Sequence, residues 1–164
     1  MRLADYKQPS ELSNLSISEL KVFSDELRKY VIETVLDVGG HFAANLGVVE
    51  LTVCLLKHFD PNNHPVIWDV GHQTYPYKIL TNRKTQLPSI RQLHGLSGFP
   101  KREEHPLDYF GTGHSSTSIS AMMGLAKANL LKGNASTHIA IIGDGALSGG
   151  MSLEALNNLS DTHI

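Results

Sequence analysis

Two short apolar runs, Val66-Ile67-Trp68-Asp69-Val70 and His138-Ile139-Ala140-Ile141-Ile142, each stop abruptly at a glycine, Gly71 and Gly143. Runs this short and this apolar suit strands buried on both faces, as in a parallel sheet covered by helices. Between them, Thr117 to Leu131 reads as a helix closed by Gly133, with Ala121, Gly124, Ala126 and Ala128 small enough to let it pack closely on a sheet. A further helix is predicted from about Ser148 to Leu159. Strand, crossover helix, strand, helix is the alternation of an α/β fold, a parallel sheet flanked by helices. Open sheets of this kind bind ligands beyond the carboxyl ends of their strands, and both glycine turns sit there.

Upstream, Leu15-Ser16-Ile17-Ser18-Glu19-Leu20 carries a helix-start signature: Ser16 caps the first free amides, Glu19 reaches back, and Leu15 packs on Leu20. Leu20, Phe23, Leu27, Tyr30, Val31, Thr34, Val35 and Val38 then keep the three-and-four spacing of one helical face until Gly39-Gly40. Residues 1–14 read as a polar leader, and Leu46 to Phe59 as a buried helix holding Cys54 as a small buried hydrophobe. Residues 71–110, broken by Pro76, Pro88, Pro100 and Pro106, read as a long irregular connection with short helices near Lys78–Leu80 and Ser89–Leu93. A connection of that length inside a compact domain is expected to line a site. With 164 residues in all, the expectation is one globular domain.

Charge removes several classes of partner. Fourteen Lys and Arg against 16 Asp and Glu leave a net charge of -2 and no basic run, so neither a nucleic acid nor an anionic membrane is expected. No stretch approaches the ~18 apolar residues of a membrane span. The single cysteine cannot form an internal disulfide, which points to a reducing cytoplasm. His58, His64, His94, His105, His138 and His163 show no zinc-ligand spacing.

The chemistry concentrates at Gly143-Asp144-Gly145-Ala146. The two glycines allow a tight turn after a strand, and the amides of Gly145 and Ala146 open a helix, as a phosphate cradle requires. Gly143, Gly145 and Gly149 nearly imitate the GxGxxG of a dinucleotide fold, with the third glycine one residue late. Asp144 argues against that reading, because a carboxylate set between phosphate-facing amides repels a diphosphate unless a hard divalent cation bridges them. Asp144 is therefore read as a Mg2+ ligand, with helix capping as its alternative. A second oxygen ligand at the end of the next strand would lie roughly 25 residues past Asp144. Asn157 and Asn158 sit some ~15 Å from the turn along their helix and are read as its carboxyl-terminal residues. Gly113-His114-Ser115-Ser116-Thr117 lacks the last glycine of a hydrolase nucleophile elbow and has no strand before it, which disfavours a serine hydrolase.

These residues, taken in order, resemble the amino-terminal part of the 1-deoxy-D-xylulose-5-phosphate synthases, transketolase-like enzymes. The resemblance is carried by His41-Phe42-Ala43-Ala44-Asn45-Leu46-Gly47-Val48-Val49-Glu50-Leu51-Thr52-Val53, Trp68-Asp69-Val70-Gly71-His72-Gln73 and Gly95-Leu96-Ser97-Gly98-Phe99-Pro100-Lys101-Arg102. It continues through Gly111-Thr112-Gly113-His114-Ser115-Ser116-Thr117-Ser118-Ile119-Ser120 and Gly143-Asp144-Gly145-Ala146-Leu147. It implies a partial thiamine-diphosphate-binding domain and condensation of pyruvate with D-glyceraldehyde 3-phosphate, with loss of CO2, for isoprenoid and thiamine precursors. It also implies thiamine diphosphate and Mg2+ as cofactors and a homodimer. By position, Asp144 would bind Mg2+, Gly145 and Ala146 would meet the diphosphate, and His72 would bond one of its oxygens. Gly113, His114 and Ser115 would contact the cofactor, and His41 would move a proton at the reacting carbon or hold substrate. Thr74 and Tyr77 depart from the alanine and histidine common in that turn. The family's metal-binding asparagine and aminopyrimidine-activating glutamate lie further along than these residues reach, so the expectation is a piece of the enzyme that is inactive alone. The competing readings are a nicotinamide-dependent oxidoreductase using the glycine turn, and a non-catalytic remnant that binds a partner subunit.

Overall fold

The computed structural model describes residues 1–160 and 162, so His163 lies outside the described residues. Expected as one body, the described chain groups into two compact units, residues 1–60 with 72–98, and residues 61–71 with 99 onward.

The first unit is helical. Helix α1, Ile17–Val38, begins with the predicted capping box: the Ser16 hydroxyl accepts the Glu19 amide and the Glu19 carboxylate accepts the Ser16 amide. Those hydrogen bonds also hold the Glu19 carboxyl below its ordinary range. The helix buries Leu20, Phe23, Leu27, Val31, Thr34 and Val35, the face its spacing predicts. Predicted to run from Leu46, the next helix is instead a single turn α2, Ala43–Leu46, followed by α3, Val49–His58. Helix α3 is not buried all round: Val49, Thr52, Val53, Leu55 and Leu56 are buried, whereas Leu51 and Cys54 are exposed. The supposed buried cysteine is thus a surface thiol, because three-and-four spacing turns position 54 away from the face that position 53 presents to the core.

Residues 1–14 are packed rather than solvated. Leu3, Tyr6, Pro9 and Leu12 are buried, and Pro9–Asn14 forms a 3-10 turn. The Tyr6 ring lies 5.4 Å from that of Phe23, and its hydroxyl donates to the Leu80 carbonyl at 2.8 Å. Burial pushes that hydroxyl's pKa far above the usual tyrosine range. Two lysines lace the segment down: Lys57 Nζ donates to the carbonyls of Ser13 and Leu15, and Lys84 Nζ donates to that of Leu3. The predicted irregular connection also contributes core. Helix α4, Tyr75–Lys78, runs into turns over Ile79–Arg83 and Lys84–Ser89, and it buries Tyr75, Tyr77, Ile79, Leu80 and Leu87. Tyr77, one of the departures from the family pattern, is a core side chain. The helix expected at Ser89–Leu93 is absent, since Arg91 adopts a left-handed φ of 62° that breaks a right-handed turn.

The second unit holds the sheet. Strands β1, Val66–Trp68, and β2, Ile139–Ile141, pair in parallel with Val66 opposite Ile139 and Trp68 opposite Ile141. Strand β1 is buried throughout and β2 is half-buried. Helix α5, Ser118–Leu131, packs on both strands, and helix α7, Gly150–Ser160, packs on α5. Met122 and Ser118 are the buried residues of α5, while Gly124 and Ala128 are exposed, so only part of the small-residue stripe faces protein. Both strands stop sooner than predicted. Val70 has a φ of 59°, and the Gly71 amide bonds back to the Asp69 carbonyl at 2.6 Å, a tight turn that ends β1. A β-branched residue at positive φ is strained and persists only where the surroundings hold it.

Candidate functional site

Within the first unit, the predicted His41 and His72 come together, their ring centroids 5.3 Å apart and edge-on. The device that brings them together is Asn45, fully buried in α2. Its Nδ2 donates to the carbonyls of His41, at 2.6 Å, and His72, at 2.9 Å, and its Oδ1 accepts the Tyr75 amide at 2.8 Å. The Tyr75 hydroxyl in turn lies 3.2 Å from the His41 amide nitrogen and 3.3 Å from His41 Nδ1. This close approach needs Gly40, whose φ is 143° and whose Cβ would stand 2.8 Å from that hydroxyl. Arg28 of α1 secures the same segment by donating to the Leu46 carbonyl at 2.7 Å and pairing with Glu50, whose carboxyl it holds below the ordinary range. Asn45 lay inside a quoted motif and Tyr75 two residues past another, both without a role, and only the hydrogen bonds reveal one.

Within the second unit, the turn after β1 and the loop before α5 are joined. Gly71, at φ 89°, packs so tightly that a Cβ would lie 2.3 Å from Pro100 Cδ and 2.4 Å from Thr112 Oγ1. Asp69 is buried, and its Oδ2 accepts the Ser118 amide at 3.0 Å, placing a carboxylate at the start of α5, where the helix favours negative charge. The loop thus pinned carries Gly113, His114 and Ser115. His114 and Ser115 are exposed, and the His114 ring stands edge-on 6.0 Å from Phe99.

The predicted diphosphate turn opens at the carboxyl end of β2. Gly143 precedes a one-turn helix α6, Asp144–Leu147, whose amino end has no side-chain cap. Helix capping, the alternative role for Asp144, is therefore not what this side chain does. Gly145 and Ala146 occupy the second and third positions of α6, where amides have no intrahelical partner. One turn carries little macrodipole, so attraction for an anion here rests on those donors rather than on the helix as a whole. Ser152, fully buried in α7, ties this turn to the 111–118 loop: its hydroxyl reaches the Ala146 carbonyl at 2.9 Å and the Ser116 carbonyl at 3.4 Å. Gly149 belongs to the same junction, since a Cβ there would lie 2.9 Å from Ser116 Oγ. Its smallness is explained by loop packing and needs no dinucleotide. Asn157 and Asn158 lie near the end of α7, as expected.

The donor set fits a Mg2+-diphosphate in part. Among the described residues no cluster of three His, Cys, Asp or Glu side chains could hold a metal, and Asp144 presents an exposed carboxylate. Mg2+ is commonly held by one or two carboxylates together with phosphate oxygens and water, so a single carboxylate beside uncapped amides is compatible with it. No helix is long and apolar enough to cross a membrane among the described residues.

A family model described as 1-deoxy-D-xylulose-5-phosphate synthase matches residues 3–164. The chain is 57% identical over 151 residues to the synthase of that name from Clostridium botulinum (strain Alaska E43 / Type E3), covering 92% of this chain and 24% of the relative. It is 55% identical over 159 residues to that of Exiguobacterium sibiricum, covering 97% of this chain and 25% of the relative. Against that of Clostridium perfringens (strain ATCC 13124) the identity is 54% over 151 residues, 92% of this chain and 24% of the relative. The chain thus spans about a quarter of the length of these relatives. A match over nearly every residue, at more than half identity, makes this chain a member of the 1-deoxy-D-xylulose-5-phosphate synthase family.

Proposed function

We propose that the chain forms the amino-terminal part of the diphosphate-binding domain of a cytoplasmic, homodimeric transferase. The reaction is condensation of pyruvate with D-glyceraldehyde 3-phosphate, with loss of CO2, to give 1-deoxy-D-xylulose 5-phosphate for isoprenoid and thiamine precursors. The observation that carries this reading is the family match over residues 3–164, which includes the Gly143-Asp144-Gly145-Ala146 turn at the carboxyl end of β2. Thiamine diphosphate, when bound, supplies the carbon–carbon chemistry, and the protein binds, orients and polarises it. Asp144 would hold the Mg2+ that neutralises the diphosphate. The amides of Gly145 and Ala146 would donate to its oxygens, and His72 would donate to another. Gly113, His114 and Ser115 would contact the cofactor from their loop. His41 would bind substrate or move a proton at the reacting carbon, a task that suits imidazole near neutral pH.

The nicotinamide reading loses its support, because Gly149 serves loop packing and the family match is to a different chemistry. The test is Asp144→Ala in the synthase that contains this chain. Thiamine diphosphate affinity should collapse together with its dependence on Mg2+, and undiminished affinity would remove the metal role of Asp144. The purified chain alone should form no 1-deoxy-D-xylulose 5-phosphate from the two substrates, and product would overturn that expectation.

A further inference from the structure

We propose that Tyr75 and Asn45 are positioning residues for His41, and that the Tyr75 hydroxyl fixes the neutral His41 ring as the tautomer with its proton on Nε2. The functional weight of this rests on the reading that His41 works at the reacting carbon; the tautomer itself does not.

Tyr75 is fully buried, so its hydroxyl is out of reach of bulk water. Among the described residues, two atoms lie within hydrogen-bonding distance of it, the His41 amide nitrogen at 3.2 Å and His41 Nδ1 at 3.3 Å. A backbone N–H can only donate, so the hydroxyl oxygen accepts it. The hydroxyl then has one proton of its own to place, and the acceptor in reach is Nδ1. Directing that proton anywhere else strands a buried donor, an outcome folded proteins avoid. The O–H therefore donates to Nδ1, which carries no proton, and the neutral ring bears its proton on Nε2. One hydroxyl thus binds both the backbone and the ring of His41, setting the residue's place and its tautomer together.

Asn45 completes the arrangement. Both protons of its Nδ2 are committed, one to the His41 carbonyl and one to the His72 carbonyl, and its Oδ1 is committed to the Tyr75 amide. That full set of bonds fixes which way the amide faces, because flipping it would set its oxygen against two carbonyl oxygens. The same residue therefore locates the histidine backbones and the helix start that carries Tyr75. An aspartate at position 45 would keep the acceptor for Tyr75 and lose both donors, which makes it an informative near-isostere.

The experiment is a long-range proton–nitrogen correlation spectrum of the purified chain labelled with 15N-histidine, at about pH 8, where an ordinary histidine is neutral. His41 is identified as the signal absent from His41→Gln. The wild-type chain should show the two ring nitrogens of His41 fully separated, with Nδ1 unprotonated. Tyr75→Phe should shrink that separation as the second tautomer becomes populated, and should speed exchange of the His41 amide about fivefold to tenfold. Asn45→Asp should shift the His72 signals as well, whereas Tyr75→Phe should leave those in place. A proton on Nδ1 in the wild type would overturn the proposal, as would an unchanged His41 spectrum in Tyr75→Phe. The wild-type spectrum decides the tautomer by itself should a variant fail to fold. Assaying His41→Gln in the synthase that contains this chain keeps the two ideas apart: an intact tautomer with undiminished synthase activity in that variant would sink the functional reading of His41 alone.

Discussion

Replacing Gly71 by alanine separates two costs that are usually confounded. The first is conformational: at φ 89° an L-residue suffers a left-handed penalty of roughly 1–2 kcal/mol. The second is steric. The new methyl would stand 2.3 Å from Pro100 Cδ and 2.4 Å from Thr112 Oγ1, and a proline ring has little room to yield, so overpacking adds roughly 1–3 kcal/mol. The expected loss is about 2–5 kcal/mol, a large share of a typical folding stability of about 5–15 kcal/mol. Gly133→Ala supplies the control: its φ is 73°, and nothing lies within 4 Å of the added Cβ, so only the conformational term applies. Gly124→Ala is the opposite case, an open position inside α5, where alanine should stabilise by about 0.5–1 kcal/mol. Urea unfolding followed by fluorescence suits the comparison, because the one tryptophan, Trp68, is buried in β1 three residues before Gly71. Gly71→Ala should also weaken cofactor binding, since Thr112 adjoins Gly113, His114 and Ser115. A midpoint shift no larger than that of Gly133→Ala would refute the steric reasoning and the claim that this turn holds the loop.

Other perturbations test the supports around the site. Ser16→Ala removes half of the capping box of α1 and should cost about 1 kcal/mol in urea unfolding. Arg28 holds the Glu50 carboxyl below its unfolded value, so their pairing stabilises the fold above about pH 4.3 and is lost as pH falls through the lower folded value. With Glu50 exposed and Arg28 half-buried, the difference between wild type and Glu50→Gln should be only about 0.2–1 kcal/mol at pH 7, shrinking in acid and in high salt. The exposed Cys54 thiol should react with a disulfide reagent in the folded chain without urea, and protection until unfolding would contradict the surface placement.

Features encoded in a few adjacent residues were the legible ones. The Ser16–Glu19 box and the buried face of α1 follow from capping chemistry and spacing and stand where they were expected, and the two apolar runs pair as parallel strands, though each is shorter than its run. What escaped was set by distant partners. Residues 1–14 look polar along the sequence, yet Leu3, Tyr6 and Leu12 are drawn in by the ring of Phe23 and by Lys57 and Lys84, whose positions no local pattern announces. The irregular 71–110 stretch hid core side chains for the same reason: Tyr75 and Leu87 lack helical periodicity and are buried by tertiary packing. At the site, the glycines, histidines and Asp144 stood out by residue type. Asn45, Asp69 and Ser152, which hold those residues in place, are ordinary polar residues whose roles exist only as hydrogen bonds across the fold.

The central claim, that Asp144 and the amides after it make a Mg2+-dependent diphosphate site, is tested most directly by calorimetric titration of thiamine diphosphate into the synthase that contains this chain, in Mg2+ and in EDTA. The account predicts binding at micromolar levels, about -8 kcal/mol, with Mg2+ and its loss in EDTA. Equal binding in both buffers, or none in either, would contradict it.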